Sequence, residues 1–345
     1  MERPVAGHLV RASTPESIER DLSTLWRELA RDAPTTARAV MSNLVVFREA
    51  SPAEDADEAP ALDTVEVVEV ASRHPARIIV LAHARCGPEA PPAIAAAVGI
   101  LTFGSGEAQH AVEQIAIRSR CAEASLPSIV RRLTFGDVPT AVWWTGDLSH
   151  SPPLTALVTM GRQLVYDSRQ WIDVATGVSR VAGLLEHPHA PDLADLGWRR
   201  LTPMRQALGH GLRGAGELVN APTLRARILH RPGEEALAWL LIGWLSSRLR
   251  RPSERELAVT VSEQADGVEA MSISIDSGEA TTMITATMSG HQVAVISTSD
   301  APSFVVTVPQ ESDAGGVAAE LQTLGRDTGL IESIGAAQTR LQAGG

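Results

Sequence analysis

The sequence predicts an α/β layer domain followed by an α+β domain, and three features carry that expectation. In the first half, short apolar runs rich in Val and Ile alternate with helical stretches, as buried parallel strands and their crossovers do. In the second half the apolar residues recur at every second position between short turns, the pattern of an antiparallel meander. Between the halves stands Asp195-Leu196-Gly197-Trp198-Arg199-Arg200-Leu201-Thr202-Pro203-Met204-Arg205, a run with more individual character than its surroundings. A chain of 345 residues is long enough for two cores, and the expected division is 1–187 and 188–345.

Ser13-Thr14-Pro15-Glu16 has capping-box spacing, and Ile18, Leu22, Leu25, Trp26 and Leu29 then share one helical face, which predicts an amphipathic helix ending near Asp32. Arg38 to Arg48 reads as the first strand, and the acidic, Ala- and Pro-rich segment from Glu49 to Pro60 as a loop. A helix over Leu62 to Ser72 and a strand over Ala76 to Ala82 imply a right-handed crossover. Strands follow at Ile94–Phe103, Ala111–Arg118, Thr140–Trp144 and Gln163–Tyr166, with a helix near Ser125–Leu133 and a helical connector from Trp171 to His187. The first half is thus Rossmann-like.

In the second half Ala221–His230 reads as extended, and the helix around Leu237 to Leu245 is apolar on two sides, as buried helices are. Five strand runs follow, at Glu256–Glu263, Gly267–Asp276, Ala280–Met288, Gln292–Thr298 and Ser303–Val308. Two final helices, near Ala314–Leu324 and Leu330–Leu341, are expected to cover one face of that sheet.

Composition narrows the function. The formal net charge is −11, which argues against a nucleic-acid partner, and there is no cationic amphipathic helix for a membrane surface. The longest apolar run, Ala236 to Leu245, is too short to span a bilayer, and Met1-Glu2-Arg3-Pro4 lacks the apolar core of a signal peptide, so the expected location is cytoplasmic. All 30 basic residues are arginine. The absence of lysine excludes Schiff-base chemistry, a standard P-loop and a kinase site. Cys86 and Cys121 are the two cysteines and are expected to be reduced thiols.

The search for a catalytic constellation returns none. His83-Ala84-Arg85-Cys86 lacks a second ligand pair at zinc-site spacing, and His187-Pro188-His189 reads as a turn. Gly104-Ser105-Gly106 joins two strands and has no third glycine, so no dinucleotide cradle is expected there. Asp167-Ser168-Arg169, at a strand end, either touches a ligand or caps the next turn. No metal, cofactor or catalytic residue is assigned.

What remains is the central run. Asp195 to Gly197 reads as a turn and Thr202-Pro203 as a helix start; Trp198 offers a large anchor, and Arg199, Arg200 and Arg205 offer guanidinium forks. The run resembles the D-L-x-W-x-R-L-T-P-W-R signature of the glucose-6-phosphate dehydrogenase assembly protein family, OpcA, with Met204 where the family usually carries a second tryptophan. Ser72-Arg73-His74-Pro75-Ala76-Arg77, Val138 to Trp144, Leu164 to Ser168 and Ala238 to Leu245 match in the same order, so the resemblance spans roughly Arg38 to Arg340. It implies a non-catalytic protein that binds glucose-6-phosphate dehydrogenase as an assembly factor or allosteric activator in the pentose phosphate pathway. It also raises a thiol switch as the alternative to inert cysteines. The candidate partner interface is Trp198, Arg199, Arg200, Thr202, Pro203, Arg205, Arg73, His74 and Trp144. The same composition suits an internal seam between the halves. A different class of function, a nucleotide or sugar-phosphate site in the strand-end crevice of the α/β domain, is the alternative reading.

Overall fold

A computed structural model describes residues 7–50, 65–85, 92–105, 109–151, 154–215, 218, 221, 223–249, 256–264, 270–277, 283–298 and 302–344. Sheet A comprises β1 (Gly7–Ser13), β2 (Ala37–Arg38), β3 (Ser42–Glu49), β4 (Ala76–Ala84), β5 (Ala93–Phe103), β6 (His110–Arg120), β7 (Thr140–Trp144), β8 (Gln163–Tyr166) and β9 (Asp192–Asp195). Its order is β1-β5-β6-β4-β3-β7-β8-β9, with β2 on β6. From β6 through β9 every pairing is parallel, and the chain order reverses between β3 and β7. That is the strand order of a doubly wound dinucleotide-binding sheet, with its topological switch point between β3 and β7. One crossover departs from the pattern: β5 returns antiparallel beside β6, and β1 extends the sheet antiparallel beyond it.

Sheet A is apolar on both sides, so helices must cover both. On one side lie α1 (Ile18–Asp32), α3 (Leu126–Leu133) and α5 (Val174–Leu185), and their buried residues share a core with Val45, Phe47, Ile79 and Trp144. A one-turn helix, α4 (Thr155–Val158), closes the same side. The other side, with Leu44, Val46, Ile78 and Val80, is covered by α2 (Val65–Arg73) and by α9 (Asp313–Gln322), which comes from the far end of the chain.

After β9 come α6 (Leu196–Arg200) and α7 (Thr202–Gly214), then β10 (Thr223–His230), α8 (Glu235–Leu249) and β11 (Glu256–Glu263). Sheet B is completed by β12 (Met271–Asp276), β13 (Met283–Met288), β14 (Gln292–Ser297) and β15 (Phe304–Thr307), in the order β11-β10-β12-β13-β14-β15. The last helix, α10 (Thr328–Gly344), packs against α8 and α5.

Four expectations change. The first helix starts at Ile18; Ser13 belongs to β1, and its hydroxyl joins that of Ser17 in donating to Asp21 at 2.7 and 2.8 Å instead of capping. β11 is not the first rung of a meander: the 15-residue α8 separates it from β10, and a helical crossover makes the pair parallel. The final helices do not cover sheet B, because α9 fills the open flank beside α2 on sheet A and α10 fills the groove between α8 and α5. The division near 187 therefore separates the sequence more cleanly than the fold, since β9 and α9 both build sheet A and one core runs from α1 through Trp198 into sheet B. Last, Cys121 is disulfide-bonded, contrary to the expectation of reduced thiols. Its N–H bonds the Ala84 carbonyl at 3.3 Å, and Cys86, outside the described residues, follows Ala84 by two positions in sequence.

Candidate functional site

At the carboxyl ends of β8 and β9 the chain turns twice in the same way. Asp167 caps the turn Ser168–Gln170 by accepting from the Arg169 N–H at 3.1 Å, and Asp195 caps α6 by accepting from the Gly197 N–H at 2.8 Å. Asp195 Oδ1 also takes the Ser168 N–H at 3.0 Å, which ties the two turns together. Gly197 is required here: a Cβ would collide with the Ser168 hydroxyl and approach Leu237 Cδ2 to 2.9 Å. The two carboxylates differ in company. Burial pulls Asp167 upward in pKa, but its hydrogen bonds and ion pairs with Arg169 and Arg200 outweigh burial and leave it below the usual range. Asp195 is buried without a cation, its Oδ2 has no hydrogen-bond partner among the described residues, and burial followed by repulsion from Asp167 pushes its pKa up to about 7.

The arginines of α6 carry the connection outward. Arg200 holds Asp167 at 3.0 Å with one guanidinium nitrogen and Asp313, in the first turn of α9, with the other. Arg199 grips Glu311 at 2.6 Å and Glu320 at 3.1 Å, so α6 is tied to both ends of α9. Trp198 points the opposite way and is 3% exposed; its indole N–H donates to Asp327 at 2.7 Å, and Asp327 in turn accepts from the Leu330 N–H at the start of α10. Arg205 lies 3.5 Å over the Trp198 ring and donates to the Trp198 carbonyl at 3.2 Å and the Thr202 hydroxyl at 2.9 Å. Burial brings its pKa down to about 10, so it stays protonated at neutral pH.

The sequence-predicted residues therefore divide. Trp198, His74 and Trp144 are buried in the chain itself. His74 meets the Ser42 hydroxyl at 3.0 Å, and burial lowers its pKa. Trp144 stacks on Phe47 with ring centroids 3.9 Å apart. Arg73 joins the accessible group: it pairs with Glu69 at 2.8 Å while Glu69 accepts from Ser312, which fastens α2 to the start of α9. Beside α6 opens a cleft of about 620 Å³ between the sheets, lined by Arg169, Arg199, Arg200, Thr202, Pro203 and Glu234 among others. Residue-level reasoning missed Asp313, Glu311, Glu320 and Asp327, which lie more than 100 positions from their partners. Their only signal was that adjacent arginines in an acidic chain require carboxylates nearby.

The switch point is built differently. Trp144 ends β7 and pairs with Phe47 near the carboxyl end of β3, and the two stacked residues, each 1% exposed, fill the space between those strand ends. The sequence after β3, where a dinucleotide cradle would need glycines, carries Glu54, Asp55, Asp57, Glu58 and Asp63 and no glycine before Val65. His83 meets Ser119 at 3.3 Å, and no group of three metal-ligating side chains occurs among the described residues.

The family pattern described as the glucose-6-phosphate dehydrogenase subunit N-terminal domain matches residues 67–183, and its C-terminal counterpart matches residues 191–334. The chain belongs to the glucose-6-phosphate dehydrogenase assembly subunit family, OpcA. No curated protein sequence matches it. Among solved structures, UDP-N-acetylglucosamine 3-dehydrogenase GnnA from Acidithiobacillus ferrooxidans is 12% identical, with a TM-score of 0.35 over 88% of this chain and 96% of that one. Apo scyllo-inositol dehydrogenase from Lactobacillus casei is 9% identical, with a TM-score of 0.37 over 88% and 95%. An oxidoreductase from Sinorhizobium meliloti is 12% identical, with a TM-score of 0.38 over 59% and 75%. Among the described residues no helix is long and apolar enough to cross a membrane.

Proposed function

We propose that the chain is a non-catalytic partner of glucose-6-phosphate dehydrogenase that promotes its assembly or activity and so supports the oxidative pentose phosphate pathway. The observation that carries this reading is family membership over both halves of the chain. Two features of the site support the non-catalytic part. The aromatic stack and the five carboxylates that follow β3 in sequence suit neither the pyrophosphate nor the close backbone approach of a dinucleotide. At the carboxyl edge of β8 and β9, Arg199, Arg200 and Trp198 hold α9 and α10 in place through Glu311, Glu320, Asp313 and Asp327.

The partner contact belongs to the accessible rim of that lock: Arg73, Arg199, Arg200, Thr202 and Pro203. Trp198 and Arg205 support the rim from inside, while His74 and Trp144 are buried elsewhere, against Ser42 and Phe47. Co-purification of the full chain with the dehydrogenase of the same source, with kinetics of the dehydrogenase alone and in complex, tests the reading. A stable complex with altered dehydrogenase kinetics is expected. Absence of any complex, or dehydrogenase activity from the isolated chain, overturns it.

The size of the cleft favours a second reading, a small polar ligand such as a sugar phosphate. Arg199 and Arg200 are already ion-paired, so an anion must displace a carboxylate to bind. A saturable rise in melting temperature with glucose 6-phosphate, in the absence of dehydrogenase, would select this reading over the first.

A further inference from the structure

Sheet B has one face packed and one face open. Inward residues such as Leu224, Ile228, Ile273 and Ile284 are fully buried, and Gly211 of α7 lies so close that a Cβ there would touch Val295 at 3.2 Å. The outward residues meet no helix among the described residues, and Leu229, Ile296 and Val305 stand 39%, 60% and 61% exposed. We propose that this open face docks a second copy of the chain, sheet on sheet, about a two-fold axis running along the strands between β12 and β13. The inference is independent of the dehydrogenase reading.

Charge selects the occupant. Each copy carries a formal −11, so two copies repel unless they meet where the surface is not acidic. The three central cross-strand rows of this face, from Ala258 to Met283, Thr260 to Ile296 and Ser262 to Val305, contain a single acid, Asp276. Asp276 is paired with Arg227 at 2.9 Å, and Arg225 adds a further positive charge, so the patch is net positive on an acidic protein. The two central strands carry small Ser and Thr residues, and Leu229, Ile296 and Val305 stand exposed on the strands to either side of them.

Shape and area agree. Ser272, Ser274, Thr285 and Thr287 fill the two central strands, so two such faces can approach to roughly the 10 Å spacing of packed sheets. The proposed axis lays β12 of one copy over β13 of the other and β10 over β14, which puts the strand of Leu229 against the strand of Ile296 on both flanks. Six strands about 4.8 Å apart and three rows about 6.8 Å apart give roughly 600 Å² per copy, or ~1,200 Å² for the pair, the lower end of the range for stable association.

Sedimentation velocity of the full chain over a concentration series tests the proposal, with Ile296→Glu and Val305→Glu as variants. The wild type is expected to show a monomer–dimer equilibrium that strengthens with added salt, since salt screens the repulsion between two acidic copies. Each variant is expected to weaken dimerisation by at least ~30-fold, while its melting temperature measured below the dissociation constant matches that of the wild type. A wild type that stays monomeric up to ~100 μM overturns the proposal. So does a dimer that the variants leave intact. A monomeric wild type whose variants lose only the dehydrogenase assigns the face to that partner and also overturns it.

Discussion

The carboxyl edge of sheet A presents two crevices, and the chain treats them in opposite ways. At the switch point between β3 and β7, where doubly wound sheets bind dinucleotides, the Phe47 and Trp144 rings stack. Past β8 and β9, at the sheet's margin, carboxylates and guanidinium groups gather. The first crevice keeps the strand topology of a nucleotide site and carries a stacked aromatic pair. The second has the polar groups of a site: its arginines and Trp198 fasten helices from the far end of the chain, while Tyr166 Oη, Ser168 Oγ and Asp195 Oδ2 have no hydrogen-bond partner among the described residues. In this protein the sheet's edge has become a structural joint.

The largest effect that would sharpen the contrast belongs to Trp198→Ala. The ring is buried, supports Arg205 and anchors α10 through Asp327, so its loss should cost about 3–5 kcal/mol of stability in denaturant unfolding. Phe47→Ala in the plugged crevice should cost a similar amount but leave the α10 contacts intact. Slower amide exchange in α10 of Trp198→Ala than of Phe47→Ala would contradict the assignment of the joint to Trp198.

The next prediction concerns Asp195, whose folded pKa of about 7 lies above the ordinary aspartate value of 3.8. Between these values the folded protein holds a proton that the unfolded chain has released, so stability falls as pH rises through this window and levels off above about 7. The full difference corresponds to about 4 kcal/mol, reduced by relaxation and water entry. Asp195→Asn keeps an oxygen for the Ser168 and Gly197 amides and places an NH₂ where Oδ2 is unpartnered. The variant should be the more stable protein at pH 8, and its stability should lose the slope between pH 4 and 7. An unchanged slope would mean that another group carries it.

Much of this architecture is legible in the sequence. The apolar runs at Ala76–Ala84 and Thr140–Trp144 identify buried parallel strands because both their faces are covered. The alternation in β12 and β13 identifies a half-open sheet. The strand β1 was not legible, since its partner β5 lies some 90 residues away and its own pattern is mixed. The placement of α9 was not legible either. Its small apolar face suits either sheet, and only the acids flanking it, matched to Arg199 and Arg200, decide between them. The site was half visible: the arginines announce a need for carboxylates, but local sequence does not say which ones.

The smallest effects separate the two arginines of α6. Arg199 meets Glu311 and Glu320 with its side chain 34% exposed, and such part-solvated pairs contribute about 0.2–1 kcal/mol each. Arg200 differs because one of its partners, Asp167, is 8% exposed. Removing Arg200 leaves that carboxylate with Arg169 alone in a site that also repels Asp195, so Arg200→Ala should cost about 1–3 kcal/mol. Its pH profile should change as well: without Arg200, Asp167 titrates closer to its unfolded value, so less stability is lost as pH falls through its folded pKa and the acid limb becomes shallower. Arg199→Ala should leave that profile alone and lose most of its small effect at high salt. If Arg199→Ala also shifts the acid limb, Glu311 and Glu320 are coupled to the aspartates, and α6 joins one charge network rather than two separate anchors.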